Sequence, residues 1–467
     1  MRIHLLGIGG AGMSAIARLL HARGDQVSGD DRAASPLLQA LNAEGIPAWV
    51  GHLPEHLDAR EGLPAVEVVA PSSAIPRDAA ELVEARRRGL PVWHRGELLN
   101  ALLEGRVGVA VAGTHGKSTT TGMLATALIG AGEDASFIIG ATPLPLGTNA
   151  RHGGGSVFVL EADEYDRTFL RLTPTVAVIT SVAFDHPDIF KDLSDTQNAF
   201  ALFARSAPAE GAVVACADDP GVREALRRAA PLTAPLIDYG LHAGAWRATA
   251  LRPNALGGID FAFTGPAGQA GTCSLRVPGD HNVLNALCAL ATGDALGVPV
   301  DRLSAGLGAY RGAERRFELL GEARGVRVID DYAHNPAKIR AALAAARQRF
   351  PVGRIWAIWQ PHTFSRTVAL MDEFATAFKD ADEIITLPVY AAREALADFP
   401  ADANWLNAIA ISRRIRHPAS RPAATMADAT GMLFALARGG DVVITLSAGD
   451  GNQVGKALLA ALKGAGG

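Results

Sequence analysis

The chain has 467 residues, enough for about three domains with separate hydrophobic cores. Apolar residues make up 49% and charged residues 20% of it, which excludes intrinsic disorder as its main state. The 44 basic and 48 acidic residues nearly balance, so a broad basic surface for nucleic acid is not expected. No apolar run reaches the roughly 18 residues of a membrane span, so membrane insertion is not expected. Cys216, Cys273 and Cys288 show no paired spacing, which indicates reduced thiols in a cytoplasmic protein.

Short apolar runs alternate with longer Ala- and Leu-rich stretches along the whole chain. The clearest pairs of a predicted strand and a predicted helix are 2–6 with 13–23, 107–112 with 118–129, and 355–359 with 369–378. This alternation is typical of parallel sheets covered by helices, so we predict an α/β fold throughout. Residues 239–279 have weaker helical patterning and more Gly and Pro, and antiparallel strands are expected there.

The chain also divides at two places where a new strand–loop–helix unit begins. One lies near 103–106 and the other near 306–314, where a Gly-rich, charged segment precedes another strand. We therefore predict three domains, with bounds 1–104, 105–312 and 313–467.

The strongest local motif is Gly-Thr-His-Gly-Lys-Ser-Thr-Thr-Thr at 113–121, which follows an apolar strand and opens a helix. Backbone N–H groups of such a turn point at phosphate oxygens, and the helix N-terminus adds a favourable dipole. Lys117 would neutralise the charge of β- and γ-phosphates, and the Ser118 hydroxyl is placed to bind Mg²⁺. The loop is shorter than a full G-x-x-x-x-G-K-[ST] motif, because position 111 is valine. The motif predicts a nucleoside triphosphate site.

A second glycine turn, Gly-Ile-Gly-Gly-Ala-Gly at 7–12, follows the first predicted strand. Asp30 and Asp31 end the next apolar segment, where a ribose-binding acid stands in dinucleotide folds. The turn fits NAD(P), FAD or a nucleotide-sugar diphosphate equally well, and a turn needed only for packing is the simpler alternative.

Acidic and histidine side chains follow two further strands. The segment Glu-Ala-Asp-Glu-Tyr-Asp at 161–166 offers carboxylates beside the phosphate loop, which suit Mg²⁺. A solvated acidic loop is the alternative. His186, preceded by Asp185, could bind a second metal ion or a phosphate, although a lone histidine is more often structural.

Further polar groups lie after predicted strands in the last third of the chain. The segments 330–336 and 360–366 are rich in Asp, His and Arg, and ligands gather beyond the carboxyl ends of parallel strands. Arg366 could grip a carboxylate, and Arg315 with Arg316 could reach ATP, unless these arginines are solvated surface charges. The amides in 279–285 could read a purine edge or cap the helix that they open.

In this order, the motifs resemble those of the Mur ligase family, the ATP-dependent enzymes that assemble the peptide stem of peptidoglycan. The resemblance runs through essentially the whole chain, and the phosphate loop is its most specific part. It implies a Rossmann-like N-terminal domain for a UDP-sugar and a central P-loop-type ATPase domain with a mainly parallel sheet. It also implies a C-terminal Rossmann-like α/β domain that brings the amino acid.

Carried over by position, the resemblance implies roles for individual residues. The implied ATP-binding residues are Gly113, Thr114, His115, Gly116, Lys117, Ser118, Thr119, His281, Asn282, Asn285, Arg316 and Asp331. The implied UDP-sugar residues are Gly7, Gly9, Gly10, Gly12, Met13, Asp30, Ser72 and Ser73. The implied amino-acid residues are Tyr332, His334, His362 and Arg366. Lys117, Glu161 and His186 are the implied catalytic residues, and Ser118, Glu161 and His186 are the implied metal ligands.

Within the family, residues 4–14, 72–75 and 137–140 are most similar to the branch that adds L-alanine. The resemblance then implies that ATP converts the lactyl carboxylate of UDP-N-acetylmuramate to an acyl phosphate, which the amine of L-alanine attacks. UDP-N-acetylmuramate, L-alanine, ATP and two Mg²⁺ ions are the implied partners. The chain is expected to be a monomer or a homodimer.

Three alternatives stay open at this point. A recycling ligase of the same family would join UDP-N-acetylmuramate to an alanyl-glutamyl-diamino-acid tripeptide. An NAD(P)-dependent oxidoreductase would use the turn at 7–12 but leaves 113–121 unexplained. An ATP-binding switch protein without catalysis would need neither the first turn nor the histidines of the last domain. Ser181, Asn335 and Ser447 depart from the family pattern, which leaves the fine contacts open.

Overall fold

The computed structural model describes residues 1–59, 62–186, 189–392, 394–399 and 405–464. Within these ranges strands and helices alternate along the chain. The strands form three sheets of four, ten and six strands. Most of the strand pairs described are parallel, which confirms the predicted α/β class. No helix in the described ranges combines the length and the apolar character that a membrane crossing requires.

The first sheet is formed near the start of the chain. Its strands and the helices between them are β1 (Arg2–Leu6), α1 (Ala11–Arg23), β2 (Gln26–Asp31), α2 (Pro36–Ala43), β3 (Ala48–Val50), β4 (Val68–Pro71), α3 (Ala80–Arg87) and α4 (Arg95–Leu103). The strand order is β3-β2-β1-β4, with parallel neighbours. Leu6 lies opposite both Asp30 and Pro71, so the loops after β1, β2 and β4 begin side by side.

The second sheet contains the phosphate loop. Its elements are β5 (Val107–Ala112), α5 (Lys117–Gly130), β6 (Ser136–Ile138), β7 (Ala150–Arg151), β8 (Val157–Glu161), β9 (Val176–Ile179), α6 (Leu193–Ala204), β10 (Ala212–Cys216), α7 (Pro220–Ala229), β11 (Leu236–Gly240), β12 (Trp246–Pro253), β13 (Ile259–Thr264), β14 (Ala270–Ser274), α8 (Asp280–Ala295) and α9 (Val300–Leu307). The order is β14-β13-β12-β11-β10-β9-β5-β8-β6-β7. Because β5 pairs in parallel with both β8 and β9, the loops after these strands emerge at one edge.

The third sheet lies in the last part of the chain. Its elements are β15 (Glu318–Ala323), β16 (Val326–Asp331), α10 (Pro336–Arg349), β17 (Ile355–Trp359), α11 (Phe364–Ala369), α12 (Met371–Phe374), β18 (Glu383–Thr386), α13 (Ala408–Arg414), β19 (Ser420–Pro422), α14 (Met426–Leu436), β20 (Val442–Leu446) and α15 (Asn452–Gly464). The order is β15-β16-β20-β17-β18-β19, with β15 antiparallel to β16. Leu446 lies opposite both Asp331 and Trp359, so three strand ends are level.

The third sheet is buried on both faces. Ile355, Ala357 and Trp359 of β17 belong to one core cluster, whereas Trp356 and Ile358 belong to another. This alternation follows from the two-residue period of a strand, and it explains why β17 is apolar at every position.

Two compact units divide the described chain. One contains 1–247, 263–271 and 285–307, and the other contains 248–262, 272–284 and 308–467. The bounds predicted above for three domains therefore stay a prediction.

The helix predicted over 369–378 is wrong in extent. The structure has two short helices instead, α11 and α12, separated at Leu370. Leu370 has φ −115° and ψ 14°, outside the helical region, so the backbone hydrogen-bond ladder does not continue through it.

Candidate active site

The phosphate loop connects β5 to α5 in a backbone conformation that needs glycine. Gly113 has φ +147° and Gly116 has φ +83°. A Cβ at Gly113 would lie 2.0 Å from Thr180 Oγ1, and a Cβ at Gly116 would lie 2.7 Å from Asn285 Oδ1. The neighbouring loop after β9 holds this turn, because Ser181 accepts hydrogen bonds from the backbone N–H groups of Thr114 (3.0 Å) and His115 (2.9 Å).

Lys117 begins α5 and is held by two acceptors. Its Nζ donates to Gly113 O at 2.7 Å and to Glu164 Oε2 at 2.5 Å. Glu164 is 2% exposed, so its carboxylate is shielded from water in this ion pair. Burial alone would lower the pKa of Lys117, but Glu164, Asp163 and Glu161 raise it to about 12. The lysine therefore carries a fixed positive charge at the start of the helix.

Glu161, the last residue of β8, is held beside the same helix. Its Oε1 accepts a hydrogen bond from Ser118 Oγ at 3.0 Å, and its Oε2 accepts one from the N–H of Gly140 at 2.7 Å. Oxygen ligands of an octahedral Mg²⁺ ion lie about 3 Å apart when each is about 2.1 Å from the metal. Ser118 and Glu161 therefore have the chemistry and the spacing to hold one Mg²⁺ ion together.

His186 lies on the other side of Glu164. Its Nε2 is 3.7 Å from Glu164 Oε1, and its ring packs edge-on against Tyr165 with 5.4 Å between ring centroids. Burial raises the pKa of Glu164 above its ordinary value, although Lys117 acts in the opposite direction. Sequence reasoning located the acidic segment but did not single out Glu164, the residue that links the lysine and the histidine.

The residues predicted for the adenine side have structural partners, each described within its own unit. Asn285 Oδ1 accepts a hydrogen bond from Thr120 Oγ1 of α5 at 3.1 Å, while Asn282 Nδ2 donates to Pro278 O at 2.6 Å. His281 is exposed, and Thr119 is partly exposed on the first turn of α5. The asparagines thus position the start of α8, and their role toward adenine stays a prediction.

The first glycine turn lies at the level ends of β1, β2 and β4. Gly7 has φ +75°, and a Cβ there would meet Ser72 Oγ at 2.7 Å. Gly9 N donates to Asp31 Oδ2 at 3.0 Å. The structure brings Ser72 to the four glycines of this turn, Gly7, Gly9, Gly10 and Gly12, whereas Ser73 follows it as an exposed residue.

Two of the predicted UDP-sugar residues turn inward. Met13 is 4% exposed and belongs to the hydrophobic core. Asp30 is fully buried and hydrogen-bonded to three histidines, so its side chain does not reach the surface of the turn. Asp31, the adjacent carboxylate, is the one that contacts the turn.

A small cavity of about 70 Å³ connects the first turn with the carboxylates after β8. Its lining includes Gly12, Arg95, Glu161 and Asp163. The Arg95 Nε atom is buried and has no hydrogen-bond partner among the described residues. Sequence reasoning did not identify Arg95, because it lies on a helix without a recognisable motif. Its charge makes it a candidate ligand for an anionic group at this place.

Aromatic and imidazole rings and one guanidinium group lie close together after the ends of β16 and β17, in the second unit. His334 contacts Tyr332 edge-on at 5.1 Å and lies 5.8 Å from His362 between ring centroids. His362 stacks on Tyr390 at 5.6 Å, and Arg366 Nη1 lies 3.1 Å from His362 Nδ1. The four residues predicted for the amino acid are therefore close together, and Tyr390 joins them.

Arg315 and Arg316 flank the same ring of Tyr332. Their guanidinium carbons lie 5.1 and 5.0 Å from the centroid of the Tyr332 ring. Arg315 Nε also donates to Asp330 Oδ2 at 3.2 Å, whereas Asp331 Oδ2 accepts from the N–H of Phe317 at 2.8 Å. Burial raises the pKa of Asp331 to about 6, although Arg316 acts to lower it.

The three departures from the family pattern have defined contacts. Ser181 holds the phosphate loop as described above. Asn335 caps α10 by accepting from the N–H of Lys338 at 2.9 Å. Ser447 Oγ donates to Gln360 Oε1 at 2.6 Å, which ties the loop after β20 to the loop after β17.

The turn at 113–116 with Lys117, at the edge of a mainly parallel sheet, is typical of nucleotide-dependent enzymes. Residues 2–106 match the Mur ligase family catalytic domain, 111–293 the Mur ligase middle domain, and 315–449 the Mur ligase glutamate ligase domain. The chain belongs to the Mur ligase family, which confirms the resemblance seen in the motifs.

Relatives within the family are similar over nearly the full length. The UDP-N-acetylmuramate–L-alanine ligase of Frankia casuarinae is 42% identical over 494 aligned residues, covering 98% of this chain and 97% of that protein. The crystal structure of the UDP-N-acetylmuramate–alanine ligase of Thermotoga maritima gives a TM-score of 0.78 at 26% identity and covers 100% of both chains. A murein peptide ligase from Psychrobacter arcticus gives 0.70 at 27% identity, covering 99% of this chain and 98% of that one.

The raised pKa of Asp331 predicts a pH-dependent stability. In the unfolded chain this carboxyl ionises near pH 3.8, and in the folded chain near pH 6, so the folded state binds more protons between these values. Stability should therefore fall as the pH rises from about 4 to 6, by at most about 3 kcal/mol from this group. In Asp331→Asn this fall should disappear, which melting temperatures measured from pH 4 to pH 8 would show. The same pH slope in both proteins would contradict the assignment.

Proposed function

We propose that the chain is an ATP-dependent ligase that joins L-alanine to the lactyl carboxylate of UDP-N-acetylmuramate and releases ADP and phosphate. This reaction is the first peptide-stem step of peptidoglycan biosynthesis. The observation that carries the proposal is the placement of Lys117 and the Ser118–Glu161 pair at one edge of the second sheet. The relatives named for this reaction support the choice of substrates.

The first step activates the carboxylate. A lactyl carboxylate oxygen attacks the γ-phosphorus of ATP, the bond from that phosphorus to the β-phosphate oxygen breaks, and an acyl phosphate and ADP result. Lys117, Ser118 and the N–H groups of 113–116 bind the phosphates, and Lys117 offsets the charge that otherwise repels the attacking carboxylate. Arg95 is assigned to an anionic group of the UDP-sugar, because its guanidinium lines the cavity between Gly12 and Glu161.

Bound Mg²⁺ would neutralise phosphate charge and align the reacting oxygens. Ser118 and Glu161 are assigned to one ion on the basis of their 3.0 Å separation. His186 and Glu164 are assigned to a second ion, because the two side chains approach each other within 3.7 Å beside Lys117.

The second step forms the amide bond. The neutral amine of L-alanine attacks the acyl carbon and a tetrahedral intermediate forms. The nitrogen then loses one proton, and the bond to the phosphate oxygen breaks, which releases inorganic phosphate. Arg366 is assigned to the carboxylate of L-alanine, since a guanidinium matches a carboxylate with two parallel hydrogen bonds. Tyr332, His334 and His362 enclose a small acceptor, and Arg316 and Asp331 are assigned to ATP. Its nucleotide substrates favour a cytoplasmic location, and a monomer or a homodimer stays the expectation.

Replacing Lys117 tests the phosphate site. In Lys117→Ala, ATP-dependent ligation should fall by at least about 10²–10³-fold, because the charge that offsets the phosphates is lost. UDP-N-acetylmuramate binding, measured by calorimetry, should change little. The control is Lys191→Ala, which removes an exposed lysine of the same unit and should leave ligation intact. Near-normal turnover by Lys117→Ala would disprove the phosphate-loop assignment.

The choice of acceptor decides between this function and the recycling ligase. Phosphate release from Mg-ATP and UDP-N-acetylmuramate should be stimulated strongly by L-alanine and little by the alanyl-glutamyl-diamino-acid tripeptide. Stimulation by the tripeptide alone would make the chain a recycling ligase. No stimulation by either acceptor, with ATP bound, would leave only a nucleotide-binding protein.

Arg366 is the test of the acceptor pocket. A charge-assisted hydrogen bond is worth about 1.5–3 kcal/mol, so Arg366→Ala should raise the KM for L-alanine by about 10- to 100-fold. The KM values for ATP and the UDP-sugar should stay nearly constant. Arg413→Ala, at an exposed arginine of α13, serves as the control. An unchanged KM for L-alanine would remove Arg366 from the pocket.

A further inference from the structure

Three histidines and two acidic residues form a buried cluster at the first sheet, apart from the phosphate loop. We call His4, Asp30, His52, His56 and Glu81 the buried histidine cluster. Asp30 Oδ2 lies 3.1 Å from His4 Nε2 and 2.9 Å from His56 Nδ1, and Asp30 Oδ1 lies 2.6 Å from His52 Nδ1. Three imidazole nitrogens thus converge on one carboxylate.

The cluster is built around the buried carboxylate of Asp30. Asp30 and Glu81 are both 0% exposed, and in the described residues their ion pairs are with histidines alone. Glu81 Oε1 lies 3.8 Å from His52 Nδ1, and burial beside Asp30 raises the pKa of Glu81 to about 8. A buried carboxylate such as that of Asp30 is costly unless hydrogen bonds or a cation compensate it.

The donor atoms have the spacing of a metal site. One ligand atom each from His4, Asp30 and His56 lies within 4.8 Å of the other two, and the same holds for Asp30, His52 and Glu81. Tetrahedral ligands at about 2.0–2.2 Å from a zinc ion lie about 3.3–3.6 Å apart, so small side-chain shifts would complete the geometry. Two imidazoles and one carboxylate favour Zn²⁺ or Co²⁺ over Mg²⁺.

Neighbouring groups already orient the ligands. His4 Nδ1 is hydrogen-bonded to Ser28 Oγ at 2.9 Å, which leaves Nε2 directed at Asp30. Trp49 stacks on His56 with 4.9 Å between ring centroids and an interplanar angle of 17°. Such supporting contacts to the ring nitrogen and ring face are typical of metal-binding histidines.

We propose that His4, Asp30 and His56 bind one divalent transition-metal ion of the Zn²⁺ class, with His52 and Glu81 around them. The backbone carbonyl of Asp30 accepts hydrogen bonds from the N–H groups of Gly7 and Ile8 at 2.8 and 3.0 Å. The ion therefore stabilises the strand end that supports the first glycine turn. Binding of the ion does not depend on the substrates proposed above.

The test uses Co²⁺ as the probe on the chelator-treated full chain, with excess Mg²⁺ present. One Co²⁺ per chain should bind, give a visible ligand-field absorption band, and quench the fluorescence of Trp49. Zn²⁺ should displace it. His56→Asn should lose the band and weaken binding at least tenfold, whereas His21→Asn, at an exposed histidine of α1, should retain both.

Two more variants separate the outcomes. His186→Ala should keep the Co²⁺ band, since it alters only the phosphate-loop side. Trp49→Phe should keep the band but lose the part of the fluorescence quenching that comes from Trp49. This variant therefore shows that the ion binds beside Trp49, even if His56→Asn folds poorly. No Co²⁺ bound by the wild-type chain, or a band that disappears in His186→Ala and persists in His56→Asn, would overturn the proposal and leave the cluster as a hydrogen-bond network.

Discussion

The candidate active site depends on the register of three neighbouring parallel strands. Val111 of β5 lies opposite Glu161 of β8, and Ala112 lies opposite Ile179 of β9. Since side chains alternate along a strand, a shift of one residue would turn Glu161 to the other face and away from Ser118. The hydrophobic residues of β5, β8 and β9 are buried on both sides of the sheet, so the apolar core fixes this register.

The ion pair between Glu164 and Lys117 explains how a buried charge is tolerated in this site. Glu164 is 2% exposed, and its ion pair with Lys117 compensates the cost of removing a carboxylate from water. The same pair keeps the lysine extended toward the loop before any phosphate arrives, which lowers the entropy lost on binding. Because burial raises the pKa of Glu164, its charge depends on the Lys117 ammonium that pairs with it.

The sequence predicts the phosphate loop well because glycine, lysine and serine are contiguous and parallel strands end at a common edge. It predicts side-chain direction poorly. Asp30 and Asp31 are neighbours on one strand and therefore face opposite sides, and nothing local decides which one is buried with the histidines. No motif indicates that Glu164 pairs with Lys117, or that the chain just after it passes through left-handed backbone at Asp166 and Arg167 (φ 55° and 51°).

Left-handed backbone at residues other than glycine recurs at the loops that carry the chemistry. His186 has φ 56° in the first unit, and Arg315, Phe317 and Thr363 have φ 58°, 50° and 65° in the second. Each such conformation costs on the order of 1–3 kcal/mol and persists only where neighbouring contacts hold it. Arg315 is held by Asp330 and by two backbone carbonyls, and Phe317 by the Asp331 carboxylate. At Arg315 and Phe317, side-chain and backbone hydrogen bonds thus offset the cost of the left-handed conformation.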